Sequence, residues 1–305
     1  MGYLGLGSFK SHPEYIDELY TPPTYTNSHS ISTDGNSGSL VSIAKSAQIG
    51  TPFKPTSAIT VSCWVKPNGG SWGLSTGDGT HAFVSSLLTG GFNIGMVNTG
   101  SNETSLAFQI GVVDNTLHGA SGSPTRGYIT ATVDTDNTEG TNGGRNIGSS
   151  NGGWAHIICT YDGEYAKIYV NADNSTGVTN ARLANTGVDI AYATNYDDQG
   201  VLKTWQVTRL AFGGNYFHGY NFNGLIDNVA MWDVALDQSN ITKVYNSATP
   251  FDLRSNSGNY TQSANLIGYW NFEDALGTST ADLTGNAGTG TLEGGSSFST
   301  TVIPN

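Results

Sequence analysis

From Ser28 onward the chain repeats one pattern, an apolar run of strand length followed by a cluster of Gly, Asn, Ser or Thr. HSISTDG, SLVSIA, AITVSCWVKP, HAFVSSLLTG, FNIGMVN, SLAFQIGVV, RGYITATVD, AHIICTYDG, YAKIYVNAD, WQVTRLAFGG, GLIDNVAMW and LIGYWNFE all read this way. A row of short strands with turn signals between them points to a β-sandwich or a barrel. No fixed-length repeat recurs, which argues against solenoids and propellers. One stretch departs from the pattern. Between Asp237 and Asn246, the apolar residues Ile241, Val244 and Tyr245 follow helical spacing and predict a single short helix.

Inside AITVSCWVKP the alternation assigns faces directly. Ile59, Val61, Cys63 and Val65 point one way, and Thr60, Ser62, Trp64 and Lys66 the other. The first set reads as core. The second is mixed, and its lone Trp64 reads as a side chain packed under a loop rather than as a sugar-stacking platform. Cys63 and Cys159 both sit in apolar runs and read as free buried thiols rather than as a disulfide.

The 305 residues include 6 Trp, 15 Tyr and 11 Phe, enough for one large packed domain with small appendages. The net charge is -12, from 12 Lys and Arg against 24 Asp and Glu. A phosphate backbone would be repelled, so nucleic acid is not an expected partner. The acidity suits a well-hydrated surface, or carboxylates available to Ca²⁺. The opening MGYLGLGSFKSHPEYIDELY lacks a basic region, an apolar core and a cleavage site, so no signal peptide is expected. No run approaches eighteen apolar residues, so no membrane insertion is expected either.

Chemistry-bearing motifs are sparse. His12, His29, His81, His118, His156 and His218 show no H-E-x-x-H spacing and no zinc-like pairing with Cys. His156, within WAHIICTY, reads as a structural histidine. No G-x-S-x-G elbow occurs. A glycosidase needs paired carboxylates, and no strand carries two of them at alternate positions with a third nearby, so the chain reads as non-enzymatic. The remaining polar signals resemble oxygen-ligand sites, with Asp34 in STDGNSG, Asp227 in GLIDNVA, Glu273 and Asp274 in NFEDALG, and Asp282 in ADLTGNAG. Asp34, Asp274 and Asp282 read equally well as turn formers. Asp227 is different because it interrupts an apolar strand, where a carboxylate must be paired, hydrogen-bonded or metal-bound.

Several stretches, taken in order, resemble the laminin-G-like, concanavalin A-like jelly-roll superfamily. NSHSISTDGNSGSLVSI is similar to its opening strand and ITVSCWVKP to a following one. WAHIICTYDGEYAKIYVNAD matches a later motif, with Ala172 in place of the usual Gly. FNGLIDNVAMWDVALDQSNITKVYN matches its strand-and-helix motif, with Asn228 and Asn240 where acids are common. The resemblance implies an all-β fold, an antiparallel two-sheet jelly-roll sandwich with one short capping helix. It places Asp237 at the helix N-cap. It also carries a structural Ca²⁺ ligand role to Asp227. The fold alone does not fix function, because it hosts lectins, glycanases, adhesion modules and structural domains.

The expected organisation is an extended N-terminal arm over 1–27, a jelly roll over 28–252, a linker over 253–264 and a closing strand segment over 265–305. That closing segment, LIGYWNFEDALGTSTADLTGNAGTGTLEGG, follows the helix here, whereas in many laminin-G-like proteins it opens the domain. The order, and the start GYLGLGS, resemble virion-associated structural or fibre-like proteins of marine tailed phages. The resemblance implies a capsid-surface or tail appendage on the virion surface. Its arm would join other virion proteins, the domain would face host surface glycans, and a trimer is the favoured homo-oligomer. The alternative is a Ca²⁺-dependent carbohydrate-binding lectin, and a lesser one a polysaccharide hydrolase or lyase. The aromatic and amide-rich loops ATNYDDQG and GGNYFHGYNFNG offer Tyr196, Asp197, Asp198, Tyr216, His218 and Tyr220 as candidate glycan contacts.

Overall fold

The computed structural model describes residues 25–43, 53–68, 81–86, 91–98, 104–118, 124–134, 153–173, 178–179, 181–182, 189–190, 210–214, 221–286 and 288–304. The first strands are β1 (Ser30–Asp34), β2 (Leu40–Ile43), β3 (Ile59–Pro67), β4 (His81–Ser85), β5 (Phe92–Asn98), β6 (Thr104–His118) and β7 (Pro124–Asp134). Then come β8 (Ala155–Tyr161), β9 (Tyr165–Val170), β10 (Val178–Thr179), β11 (Ala181–Arg182), β12 (Ala211–Phe212) and β13 (Asn223–Trp232). Helix α1 (Gln238–Tyr245) is next, and β14 (Leu266–Trp270), β15 (Ser279–Thr280), β16 (Gly290–Glu293) and β17 (Ser297–Ser299) close the chain.

The strands form two antiparallel sheets. The first runs β11-β9-β8-β3-β13-β1-β17, with β14 also on β13. The second runs β10-β7-β6-β5-β4-β12-β2-β16-β15. The core lies between them. Ile59, Val61, Cys63 and Val65 of β3 enter it, as the alternation predicts, and meet Val41, Phe83, Ile94, Phe108 and Phe212 from the opposite sheet. Cys63 and Cys159 are buried free thiols, each raised in pKa by burial.

The outer face of the first sheet is not open. Thr60, Ser62 and Trp64 are buried there. A second apolar layer lies on that face, where Ile241 and Val244 of α1 with Leu253 and Tyr260 pack against Ile158, Ala230 and Trp232 of the sheet, and Trp64 packs with Trp154, Ala248 and Ile303. Burying each such large side chain is worth about 1.5–3 kcal/mol. Period-two alternation tells which residues share a face but not what lies over the outer one. The helix begins as its sequence predicts, with Asp237 Oδ1 accepting the backbone N–H of Asn240 at 2.8 Å. Asn240 Oδ1 in turn accepts the N–H of Thr261 at 2.8 Å. That bond fastens residues 253–264, expected as a linker, down onto the helix. Tyr260 of this strap is fully buried.

The closing segment belongs to both sheets. β14 adds to β13, β16 pairs with β2, and β17 pairs with β1. Trp270 sends its indole N–H to the carbonyl of Gly288 at 2.7 Å. A Cβ at Gly268 would lie 2.6 Å from its ring, so glycine there makes room for the indole.

Candidate functional site

One edge of β13 changes partner halfway along. Asn223 to Ile226 pair with β1, and Val229 to Trp232 pair with β14. Asp227 and Asn228 fall at the junction. On the opposite edge Asp227 faces Trp64 and Ala230 faces Ser62, so β13 carries one extra residue there, a bulge. Asn228 absorbs it in the left-handed region at φ 47, a conformation asparagine tolerates better than most residues.

The bulge frees polar groups, and side chains collect them. Asp227 is completely buried. Its Oδ1 accepts the backbone N–H of Asn228 at 2.7 Å and the side-chain amide at 3.0 Å. Its Oδ2 has no partner. Burial pushes the Asp227 carboxyl well above the ordinary carboxylate range, against the pull of the Asn228 bonds and with help from the Glu273 charge. Asn228 Oδ1 accepts two phenols, Tyr269 at 3.1 Å and Tyr25. Both phenols are raised above their usual value, chiefly by burial.

Two spaces flank this hub. Inward, Ser62, Trp64, His156, Asn228, Val244, Pro250, Phe251 and Leu253 line a recess of about 10 Å³, room for one water. His156 Nε2 and Ser62 Oγ lie 2.7 Å apart, while His156 Nδ1 has no partner. Burial lowers the His156 pKa to about 3, so the ring is neutral. Trp64 stacks on it with ring centres 4.6 Å apart, so Trp64 is packed rather than displayed.

Outward, a cleft of about 180 Å³ opens between three separate chain segments. Tyr25 and Thr26 come from the residues before β1, Asp252 and Arg254 from the turn that leads into the strap, and Tyr269, Asn271 and Leu283 from β14 and the turns after it. Arg254 grips Asp252 with two nitrogens, Nε at 2.9 Å from Oδ1 and Nη2 at 2.7 Å from Oδ2. The guanidinium holds the Asp252 carboxyl below its ordinary range. The cleft thus presents an aromatic ring, a fixed ion pair, an amide and a hydroxyl, a set suited to a polar ligand with flat apolar faces.

The candidate glycan contacts Tyr196, Asp197, Asp198, Tyr216, His218 and Tyr220 lie outside the described residues. The five candidate metal ligands are placed, and each accepts hydrogen bonds from its own set of neighbours. Asp34 is exposed and accepts the N–H of Asn36 at 2.9 Å and its amide at 2.8 Å. Glu273 accepts the N–H groups of Ser28 and His29 at 2.8 and 3.0 Å. Asp274 accepts the Thr280 hydroxyl at 2.8 Å and the Ala281 N–H at 3.0 Å. Asp282 accepts the N–H of Tyr269 at 3.1 Å and of Thr284 at 3.0 Å.

No three Asp, Glu, His or Cys side chains converge among the described residues. Asp227 contributes one unpaired oxygen, and Ca²⁺ takes six to eight. Sequence reading picked out Asp227 but missed the cleft. Its one local signal is an Asp and an Arg two apart in a turn, which is common.

A family model described as Laminin_G_3, the concanavalin A-like lectin/glucanases superfamily, matches residues 34–242. No curated protein sequence matches the chain. Among solved structures the chain is similar to a putative carbohydrate binding protein from Bacteroides ovatus, at 14% identity and a TM-score of 0.48. That match covers 92% of this chain and 61% of the other. A heptameric SAP-like pentraxin from Limulus polyphemus matches at 14% identity and a TM-score of 0.42, covering 80% and 94%. Domain 4 of an extracellular arabinanase from Geobacillus stearothermophilus, solved with arabinotriose, matches at 16% identity and 0.35, covering 71% and 87%.

Proposed function

The chain belongs to the concanavalin A-like lectin/glucanases superfamily, and from that membership we propose that it is a non-catalytic carbohydrate-binding module. The observation that carries the reading is the family match over most of the sandwich. The polar, aromatic-walled cleft beside Asn228 supports it. The finer role is that of a virion appendage of a tailed phage, on the capsid surface or the tail. It rests on the order of the closing segment and on the start GYLGLGS. In that role the arm meets other virion proteins, three copies assemble, and the sandwich faces host surface glycans.

The test is binding of the purified full-length protein to a broad glycan array, with Ca²⁺ and again with EDTA. Binding to a defined glycan supports the lectin reading, and its loss in EDTA adds a Ca²⁺ requirement. A blank array from folded protein overturns it. Release of reducing sugar from any bound polysaccharide would overturn the non-catalytic part alone.

A further inference from the structure

We infer that the cleft walled by Tyr25, Asp252, Arg254 and Asn271 is a subsite for one neutral pyranose ring at the end of a glycan, an inference that rests on the carbohydrate-binding reading above. Size is the first reason. At about 180 Å³ the cleft is smaller than the roughly 300–1,000 Å³ of sites that take drug-sized molecules. That volume suits one ring held in the cleft, with any further rings outside it.

Chemistry is the second reason. A sugar hydroxyl donates and accepts, and the cleft answers both ways. Asp252 accepts only, Arg254 donates only, and Asn271 and Thr26 do either. Tyr25 lines the cleft, and an aromatic wall suits the apolar side of a pyranose. The charges of Asp252 and Arg254 cancel within the pair, whose bonds measure 2.7 to 3.2 Å. Because the pair carries no net charge, it offers a sugar carboxylate or sulfate no advantage over a neutral ring.

Rigidity is the third. The hydroxyls of Tyr25 and Tyr269 are both committed to Asn228 Oδ1, and Asp282 holds the Tyr269 backbone N–H at 3.1 Å. The Arg254 backbone N–H also bonds Asp252 Oδ1 at 3.0 Å, so the turn that carries the pair is set before a ligand arrives. Ordering costs on binding are correspondingly small. The pair itself adds little stability, because its side chains are 48% and 33% exposed.

The test uses the full-length protein, a panel of neutral hexoses and one hexuronic acid, read by saturation-transfer NMR and by titration calorimetry. Arg254→Ala and Asn271→Ala are each expected to weaken hexose binding about tenfold or more, the loss of a hydrogen bond to a charged or buried partner. Arg254→Lys keeps the charge, loses the two-pronged grip and should also weaken binding. Leu276→Ala, at a loop tip where Leu276 is 84% exposed, should bind as the parent does. Melting curves confirm that each variant is folded. Full binding in folded Arg254→Ala and Asn271→Ala, with binding lost on changing Tyr216, His218 and Tyr220, overturns the cleft and leaves the lectin reading standing. Preference for the hexuronic acid overturns the neutral-ring assignment. Failure of the folded parent to bind any saccharide overturns both.

Discussion

Trp232 donates its indole N–H to the hydroxyl of Tyr260 at 3.0 Å, and Tyr260 donates onward to the carbonyl of Leu253 at 2.8 Å. Both rings are fully buried. This relay ties the strap after α1 to the outer face of the first sheet. Tyr260→Phe keeps the ring and removes both bonds, leaving the indole N–H without a partner. We expect a loss of about 2–3 kcal/mol in urea unfolding. A change below about 0.5 kcal/mol would mean that water reaches the indole and the strap is loosely held.

The buried Asp227 carboxyl gives a signed pH prediction. Its folded pKa lies above its unfolded value, for burial disfavours the charge. Any stability it contributes is therefore complete below the ordinary carboxylate range and declines as pH rises toward the folded pKa, by up to about 1.4 kcal/mol per pH unit. Asp227→Asn cannot ionise. Unfolding curves at pH 4, 5.5 and 7 should show the parent losing ground to Asp227→Asn as pH rises. A bound Ca²⁺ would reverse the trend, with the parent gaining on the variant as pH and Ca²⁺ increase.

His156 slopes the other way. Burial lowers its pKa from 6.5 to about 3. Its contribution is present above pH 6.5 and is lost as pH falls toward 3, because the unfolded chain takes up a proton that the folded chain refuses. The slope is again about 1.4 kcal/mol per pH unit at most. His156→Gln should flatten the acid limb of the stability profile between those values. An unchanged acid limb would show that the ring is protonated in the fold.

The boundary of the N-terminal arm can be tested by two truncations. Tyr25 reaches Asn228, and the Asn27 side chain donates to the carbonyl of Ile303 at 3.1 Å. Removing residues 1–27 deletes both contacts, while removing 1–24 keeps them. The shorter protein should melt several degrees below the longer one, consistent with about 1–2 kcal/mol of lost hydrogen bonding. Equal melting temperatures would place the boundary at residue 27, as the sequence reading has it.

How much of this was legible in the sequence varies from residue to residue. Ile59, Val61, Cys63 and Val65 were readable because alternation is enforced by the pleat itself. Asp237 was readable as a cap because capping is local. Asp227 stood out because a carboxylate in an apolar strand needs a reason. The bulge at Asn228 was not readable, since it is set by the register of β13 against β3, and no local pattern encodes that register. Tyr260 sits in SNSGNYTQSA, whose polarity suggests a linker, yet one ring packed on Trp232 makes it structural. The cleft draws on residues 25, 252 and 269, which only the folded topology brings together.

The placement of the first two strands has a consequence for synthesis. Ile31 of β1 lies between Ile226 and Phe298, and Val41 of β2 lies between Phe212 and Leu292. Every neighbour of these strands is made much later than they are. At roughly 5–20 residues per second on the ribosome, their first partners emerge after on the order of ten seconds or more, and their last later still. Neither sheet can close on a nascent chain. Products that stop short of Phe298 leave an edge of β1 uncovered, an open template for pairing between copies. Faithful completion of translation is thus a condition for keeping this sandwich from aggregating.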